Sequence, residues 1–370
     1  MADYVELHCH SYYSFQEGAS SIGDLVLQAQ NLGYAALALT DHDNLCGAME
    51  FAKECKSKNI HPIIGAEVTL LGGYHITLLV RTAEGYSNLC RLLSSAHVFS
   101  ERRYPQVDPT LFQSHAKGLI ALSGCRSGEV PSLVMAGRLK ESHDVAKKYA
   151  EWFGTSNYFV ELQQNLVYGD TERNARLVKL AEELGIPLVA TNNVHYHVKS
   201  RHRLQDCLVA ISHSASLDET HQERRANAEF FLKPAQTMER LFQDSPEAVQ
   251  NTVIIANRCQ FDLTRDLSYR FPSHSVPEGH TPQSYLEQVC TEAAQGRYGA
   301  ITQKIQARLE EEFRLIKKHD LAGFFLIYQE IIQLAREVQV DLGLVNPEVP
   351  IIEAPPGRGR GSSVVMLVGY

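Results

Sequence analysis

The sequence predicts an α/β fold: a barrel of alternating strands and helices, followed by a mostly helical segment. Three observations predict it. Short apolar runs such as Ala35-Ala36-Leu37-Ala38-Leu39-Thr40 have the composition of strands buried on both faces. Most of these runs are followed by a stretch with helical spacing, the βαβ signature of a parallel sheet or barrel. So many such units fit a closed barrel better than a three-layer sandwich, and in a barrel functional groups gather at the carboxyl ends of the strands.

The elements follow in order. Tyr4 to His10 reads as a short strand ending in a His-x-His pair. A polar, glycine-ended loop follows, and Ser20-Ser21-Ile22-Gly23-Asp24 starts a helix that Gly33 stops. Ala35–Thr40 is the next strand, and it empties into Asp41-His42-Asp43-Asn44. A helix spans Gly47 to Lys56, and strands are expected at His61–Val68 and His75–Val80. A helix from Tyr86 to Ala96, a strand at Gly118–Leu122 and a helix from Leu139 to Phe153 come next. Strand Tyr158–Leu162, helix Thr171–Leu184 and strand Pro187–Thr191 complete the alternation, which ends in Asn192-Asn193-Val194-His195. Beyond about residue 199 the pattern is helical. Ser245-Pro246-Glu247 reads as an N-cap, an N1 proline and an acidic first turn for a helix reaching Cys259. Three further helices are expected: Thr281 to Arg297, Ile301 to Lys318 and Gly323 to Val338.

At 370 residues the chain exceeds one ordinary small domain. The Pro-, Ser- and Gly-rich stretch from Ser268 to Gly279 is its best linker and divides it into 1–270 and 281–370. Apolar content of 44% with 21% charged residues suits a soluble globular protein with a full core. A net charge of −8 argues against a free-standing DNA-coating protein but leaves room for local basic grooves. No run spans a bilayer, and MADYVELHCH lacks the basic and apolar regions of a signal peptide, so a cytoplasmic location away from membranes is expected. The eight cysteines form no CxxC pair and read as reduced, mostly buried thiols. The terminal run Val364–Val368 lacks a partner where the chain stops at Tyr370, so the chain reads as the first part of a longer protein.

Polar groups recur where the strands end. His8 and His10, two apart on an extended chain, aim two imidazoles the same way. Alone they are equally a pair of surface histidines. Glu17 lies in the next loop, His42 follows a strand, Glu67 ends one and His75 opens another; Cys125, Asn193 and His195 follow two more. Singly these are a solvated carboxylate, a turn residue or a small buried thiol. Together they are N, O and S donors of the kinds that bind zinc, manganese or iron.

Several of these residues lie in motifs that resemble a known family. His8-Cys9-His10, Thr40-Asp41-His42-Asp43-Asn44, Gly65-Ala66-Glu67, Ser123-Gly124-Cys125 and Asn193-Val194-His195-Tyr196 look like the motifs of PHP (polymerase and histidinol phosphatase) domains. They are closest to the PHP domain that opens the alpha subunit of bacterial C-family DNA polymerase III. The resemblance continues through Arg308–Phe313 and Gly323–Ile327, which look like the approach to that polymerase's palm, and Gly357–Ser363, which looks like its Gly-Arg-Gly-Ser loop. It implies a PHP-type distorted (β/α)7 barrel leading into a palm.

It further implies a cluster of up to three divalent ions held by His8, His10, Glu17, His42, Glu67, His75, Cys125, Asn193 and His195, with catalysis centred on His8, His10, His42, Glu67, Cys125 and His195. Glu17 and Asn193 each stand where the family usually has aspartate, and the amide of Asn193 is a neutral, weaker ligand. The implied chemistry is phosphoester hydrolysis, either 3′→5′ trimming of DNA or cleavage of pyrophosphate, with Arg126 as a further phosphate contact. Arg358, Arg360 and Ser362 would meet nucleotide or DNA phosphates. For the parent enzyme the resemblance implies magnesium-dependent DNA synthesis from dNTPs, with a sliding clamp and a proofreading exonuclease as partners. The palm carboxylates that synthesis needs follow the terminal loop in this family and are absent here. Two other readings stay open: a catalytically silent PHP module bracing the polymerase, and a stand-alone phosphatase of small phosphomonoesters.

Overall fold

The chain enters the barrel through an extended segment, residues 4–10, that lies between the first and last strands of a six-stranded sheet. The computed structural model describes residues 3–100, 104–267, 274–344 and 346. The strands are β1 (Ala36–Leu39), β2 (His61–Thr69), β3 (His75–Val80), β4 (Leu119–Leu122), β5 (Tyr158–Gln163) and β6 (Leu188–Thr191), hydrogen-bonded in that order. Ala38 N and Thr40 N bond to Glu6 O and Cys9 O at 2.9 and 2.8 Å on one side of the entering segment. On its other side Val194 N bonds to His8 O and His10 N to Val194 O, both at 2.8 Å. The segment is therefore the seventh stave and closes the ring.

Those same bonds contain a bulge. A step of two residues, from Ala38 to Thr40, is matched by a step of three in the entering segment, from Glu6 to Cys9. The extra residue resets the alternation of side chains. Val5 and Leu7 join an inner cluster with Ala38, Ile63, Leu79, Leu122, Phe159 and Val189. After the bulge His8 also faces inward, followed by His10, while Cys9 joins the outer core.

The expectation of a parallel sheet is corrected at one strand. β3 runs antiparallel to both β2 and β4, whereas β1–β2, β4–β5 and β5–β6 are parallel. Only residues 70–74 separate β2 from β3, too few for a crossover helix, so the pair is a hairpin. The reversal puts the first residue of β3, His75, at the same rim as the carboxyl ends of its neighbours, paired with Thr69 and two positions from Glu67.

Helices cover the outside: α1 (Ile22–Asn31), α2 (Ala48–Ser57), α3 (Ala83–Phe99), α4 (Phe112–His115), α5 (Glu129–Met135), α6 (Leu139–Phe153) and α7 (Asp170–Leu184). The Ser21 hydroxyl caps α1 by accepting from Asp24 N at 3.1 Å. Leu25, Phe51, Leu92, Phe112, Tyr149 and Leu177 bury their apolar faces against the outward residues of the strands. After β6 come α8 (His202–Ser212), α9 (Ala235–Leu241) and α10 (Pro246–Arg258). α10 closes the amino end of the barrel, with Ile255, Ala256 and Cys259 joining the inner cluster and Thr252 Oγ1 accepting from Val5 N at 3.2 Å. Ser245 precedes Pro246 as expected, but its side chain makes no capping bond, so the fixed φ of the proline starts this helix without it.

The chain divides into two compact units, Met1–Leu267 and Ser268–Tyr370. In the second, α11 (Pro282–Tyr298), α12 (Gln303–Lys318) and α13 (Ala322–Asp341) share an apolar core of Leu286, Cys290, Leu309, Ile316 and Leu326. A capping box of Thr281 and Ser284 starts α11. No helix of the described residues is long and apolar enough to cross a membrane.

Candidate metal centre

Glu67, at the end of β2, is the hub of the first unit's polar end. Its side chain is 1% exposed. Its Oε2 lies 3.3, 3.2 and 2.9 Å from Nε2 of His8, His10 and His42, and its Oε1 lies 3.2 Å from Nδ1 of His75. These donors form two groups, His8–His10–Glu67 and His42–Glu67–His75, and within each group the ligand atoms lie within 4.8 Å of one another. Burial alone would push the Glu67 carboxyl up, but the imidazoles of His42, His8 and His75 outweigh it and hold it well below the usual carboxylate range.

The histidines are aimed from behind. His8 Nδ1 meets Glu161 Oε1 at 2.7 Å, and Gln163 Nε2 donates to the same oxygen at 2.7 Å, as does the hydroxyl of Thr191. His10 Nδ1 meets Ser14 Oγ at 3.1 Å, and that hydroxyl donates to Asp41 Oδ1 at 2.6 Å. A carboxylate behind a ligating imidazole fixes its tautomer and orientation. Because each ring spends Nδ1 on its support, Nε2 is left facing Glu67 Oε2.

Those two Nε2 atoms decide whether a cation fits. Both are buried and have no hydrogen-bond partner. Burial pushes the His10 imidazole down to about 3, so its Nε2 carries a lone pair, opposed to a carboxylate oxygen. In His8 burial is outweighed by Glu161 and Glu67, which raise the pKa well above the usual imidazole value. Two facing acceptors and a ring that holds a proton only because of its carboxylate neighbours are what a site for a positive ion looks like. The residues fit a divalent metal.

The remaining candidates are placed around this hub. Glu17 Oε2 is 3.0 Å from His42 Nε2; burial raises its carboxyl, but His42 carries it down to about 2. Cys125 Sγ is 3.5 Å from His75 Nδ1, with burial pushing its thiol up to about 12. The ring of His195 stacks on His10 at 4.4 Å, and its Nε2 is 2.9 Å from Asn193 Oδ1. A cavity of about 470 Å³ opens beside the cluster, with Glu17, His42, Glu67, Cys125 and His195 in its wall and exposed Arg126 at its edge. Arg358, Arg360 and Ser362 lie outside the described residues.

The supporting residues are not marked by any motif in the sequence. Glu161 and Gln163 carried a signal, a carboxylate and an amide at alternate positions of an otherwise apolar strand. Ser14, Asp41 and Arg225 sit in loops with no periodicity to mark them. Lys233 is equally unmarked: its ammonium is buried, bonded to Asn192 Oδ1 at 3.0 Å and to the carbonyl of Glu229, and so holds the loop that carries Asn193.

Burial lowers the Lys233 pKa from 10.5 to about 8, against the pull of Glu229. A lysine depressed in the folded state weakens folding while it is protonated, and the penalty fades as pH rises from about 8 to 10.5. Stability should climb over that range by at most about 3 kcal/mol. Lys233→Met should flatten the climb, as read from urea unfolding at pH 8 and pH 10.

Two stretches of the chain match known protein families. Residues 6–165 match the PHP domain family, and residues 284–370 match the bacterial DNA polymerase III alpha NTPase domain. The chain thus joins a PHP domain to the start of a bacterial DNA polymerase III alpha NTPase domain. An error-prone DNA polymerase of Symbiobacterium thermophilum is 39% identical over 350 residues, covering 90% of this chain and 32% of that protein. A DNA polymerase III subunit alpha of Treponema pallidum is 35% identical over 378 residues, covering 98% and 31%. One from Bacillus subtilis is 31% identical over 373 residues, covering 99% and 32%. The chain thus spans about a third of the length of these relatives. The PHP match ends at residue 165, so Asn193, His195 and Arg225 lie beyond it.

Proposed function

We propose that the first unit is a metal-dependent phosphoesterase module within the N-terminal region of a DNA-synthesising enzyme of this family, and that its substrates are DNA 3′ ends or pyrophosphate. The observation that carries the reading is the single buried carboxylate of Glu67 within 3.3 Å of four imidazoles. His8, His10 and Glu67 would hold one ion, and His42, Glu67 and His75, with Glu17 and Cys125 beside them, another. Bound divalent ions lower the pKa of water and neutralise phosphate oxygens during in-line attack.

The protein's own contribution is orientation and charge. Glu161 and the Ser14–Asp41 pair hold the rings of His8 and His10 in one tautomer. Glu17, held ionised beside His42, keeps a negative charge at the mouth. Arg126 and Arg225 bring guanidiniums to the cavity wall, where they match the geometry of a phosphate group. The module would work in the cytoplasm beside magnesium-dependent DNA synthesis by the longer protein, with DNA, dNTPs, a sliding clamp and a proofreading subunit as partners.

The test is hydrolysis by the purified chain with manganese. Release of nucleotides from 3′-labelled single-stranded DNA, or of phosphate from pyrophosphate, should depend on the metal and vanish in His10→Ala. Absence of both activities in metal-loaded protein contradicts the catalytic reading and leaves the module a structural brace. Much faster turnover of p-nitrophenyl phosphate than of either substrate would instead mark a phosphatase of small phosphomonoesters.

A further inference from the structure

Beyond the two three-residue groups, Glu17 stands beside His42 and Cys125 beside His75, which leaves Asn193 and His195. Those two share a face: Asn193 Oδ1 lies 2.9 Å from His195 Nε2. An ion held by both would stand next to Nε2. That place is taken. The guanidinium of Arg225 is hydrogen-bonded through Nη2 to the same nitrogen.

Arg225 is built into this position. Its guanidinium lies over the ring of Phe230 at 4.5 Å, and its Nε is buried. The backbone locks the same corner, because His195 N bonds to Phe230 O at 2.9 Å and Ala19 N, next to the Glu17 loop, bonds to His195 O at 2.8 Å. His195 is fully buried and its Nδ1 has no partner, so Nε2 is the nitrogen through which the ring is engaged. The charges agree with the geometry. An amide and a neutral imidazole offer a divalent ion no compensating negative charge, and a fixed monocation beside them repels it.

We infer that Arg225 is the resident cation at the Asn193–His195 end of the cluster, so that this chain's centre holds two divalent ions around Glu67 and no third. The inference rests on the metal-centre reading above. It assigns Arg225 a positioning role: a permanent positive charge on the cavity wall, where a third metal would otherwise sit.

The test is a metal count. The full chain is stripped with chelator, reloaded with excess manganese, desalted and measured by plasma mass spectrometry. Wild type should hold two ions, and so should Arg225→Lys, which keeps a positive charge. The double variant Asn193→Asp/Arg225→Ala should hold three, as should Asn193→Asp/Arg225→Gln, which keeps more of the side-chain volume. A wild type with three ions overturns the inference and leaves the metal-centre reading intact. A wild type with none overturns both. Folded double variants that still hold two ions, with a wild-type thermal midpoint and circular dichroism, overturn it as well. The wild-type count needs no variant to fold.

Discussion

Glu67→Gln should abolish metal loading at micromolar manganese and raise the dissociation constant by more than about 100-fold. Losing an outer support of a metal ligand costs 10- to 100-fold, and Glu67 is the one carboxylate common to both ligand groups, so its loss should cost more. The substitution preserves shape but removes the charge that lies between His8, His10, His42 and His75. The metal-free protein should change as well. His8 and His42 hold their protons because carboxylates outweigh the effect of burial, and Glu67 is one of those carboxylates for both. Without it their imidazole pKa values should fall, which NMR titration of the ring protons can follow. Isothermal titration with manganese reads the affinity directly, and binding within tenfold of wild type would remove Glu67 from the centre.

Gly18→Ala should destabilise the first unit by on the order of 4 kcal/mol, through backbone collision. A Cβ at this buried position would lie 1.8 Å from Ser11 O and 2.5 Å from Ser11 C, so the backbone itself must move. The cost would not stay local. Ser11 N and Oγ donate to the Asp41 carboxylate at 2.7 and 2.8 Å, Ser14 donates to the same group, and Ser14 steadies His10. Glu17 is the adjacent residue. Denaturant unfolding should therefore show a large loss, and metal affinity should fall in whatever folded protein remains. A midpoint equal to wild type would mean that the loop does not pack against Ser11.

Much of the barrel was legible because its strands are short apolar runs and its helices keep their spacing. α6 begins and ends at Leu139 and Phe153, as the periodicity implies. β3 was less legible: the residues marked a strand, but alternation alone does not set direction, and only the short connection from β2 does. The bulge at Leu7 and His8 is invisible in the sequence, because an apolar residue followed by a histidine looks like ordinary alternation. His75 was found as a donor, yet the reason it reaches the cluster is the antiparallel turn. Helices such as Glu129–Met135 and Ala235–Leu241 are too short for periodicity to mark them, and packing against the core decides them.

The site divides in the same way. Residues that stand at strand ends were legible as donors, since imidazoles and carboxylates at the rim of a barrel have few structural uses. The groups that orient them were not, because a serine or aspartate in a loop gains its role only from what the fold brings beside it. Arg225 is the clearest case. It lies 30 residues after His195, in a segment without a pattern, and becomes part of the centre only through its contact with that ring.

The centre depends on Glu67 as a shared metal ligand. Crystals of the chain soaked in manganese, with diffraction recorded at wavelengths above and below the manganese edge, test this directly. Anomalous peaks are expected on both sides of the Glu67 carboxylate, one toward His8 and His10 and one toward His42 and His75. Fully soaked crystals with no anomalous density within coordination distance of Glu67 would contradict it.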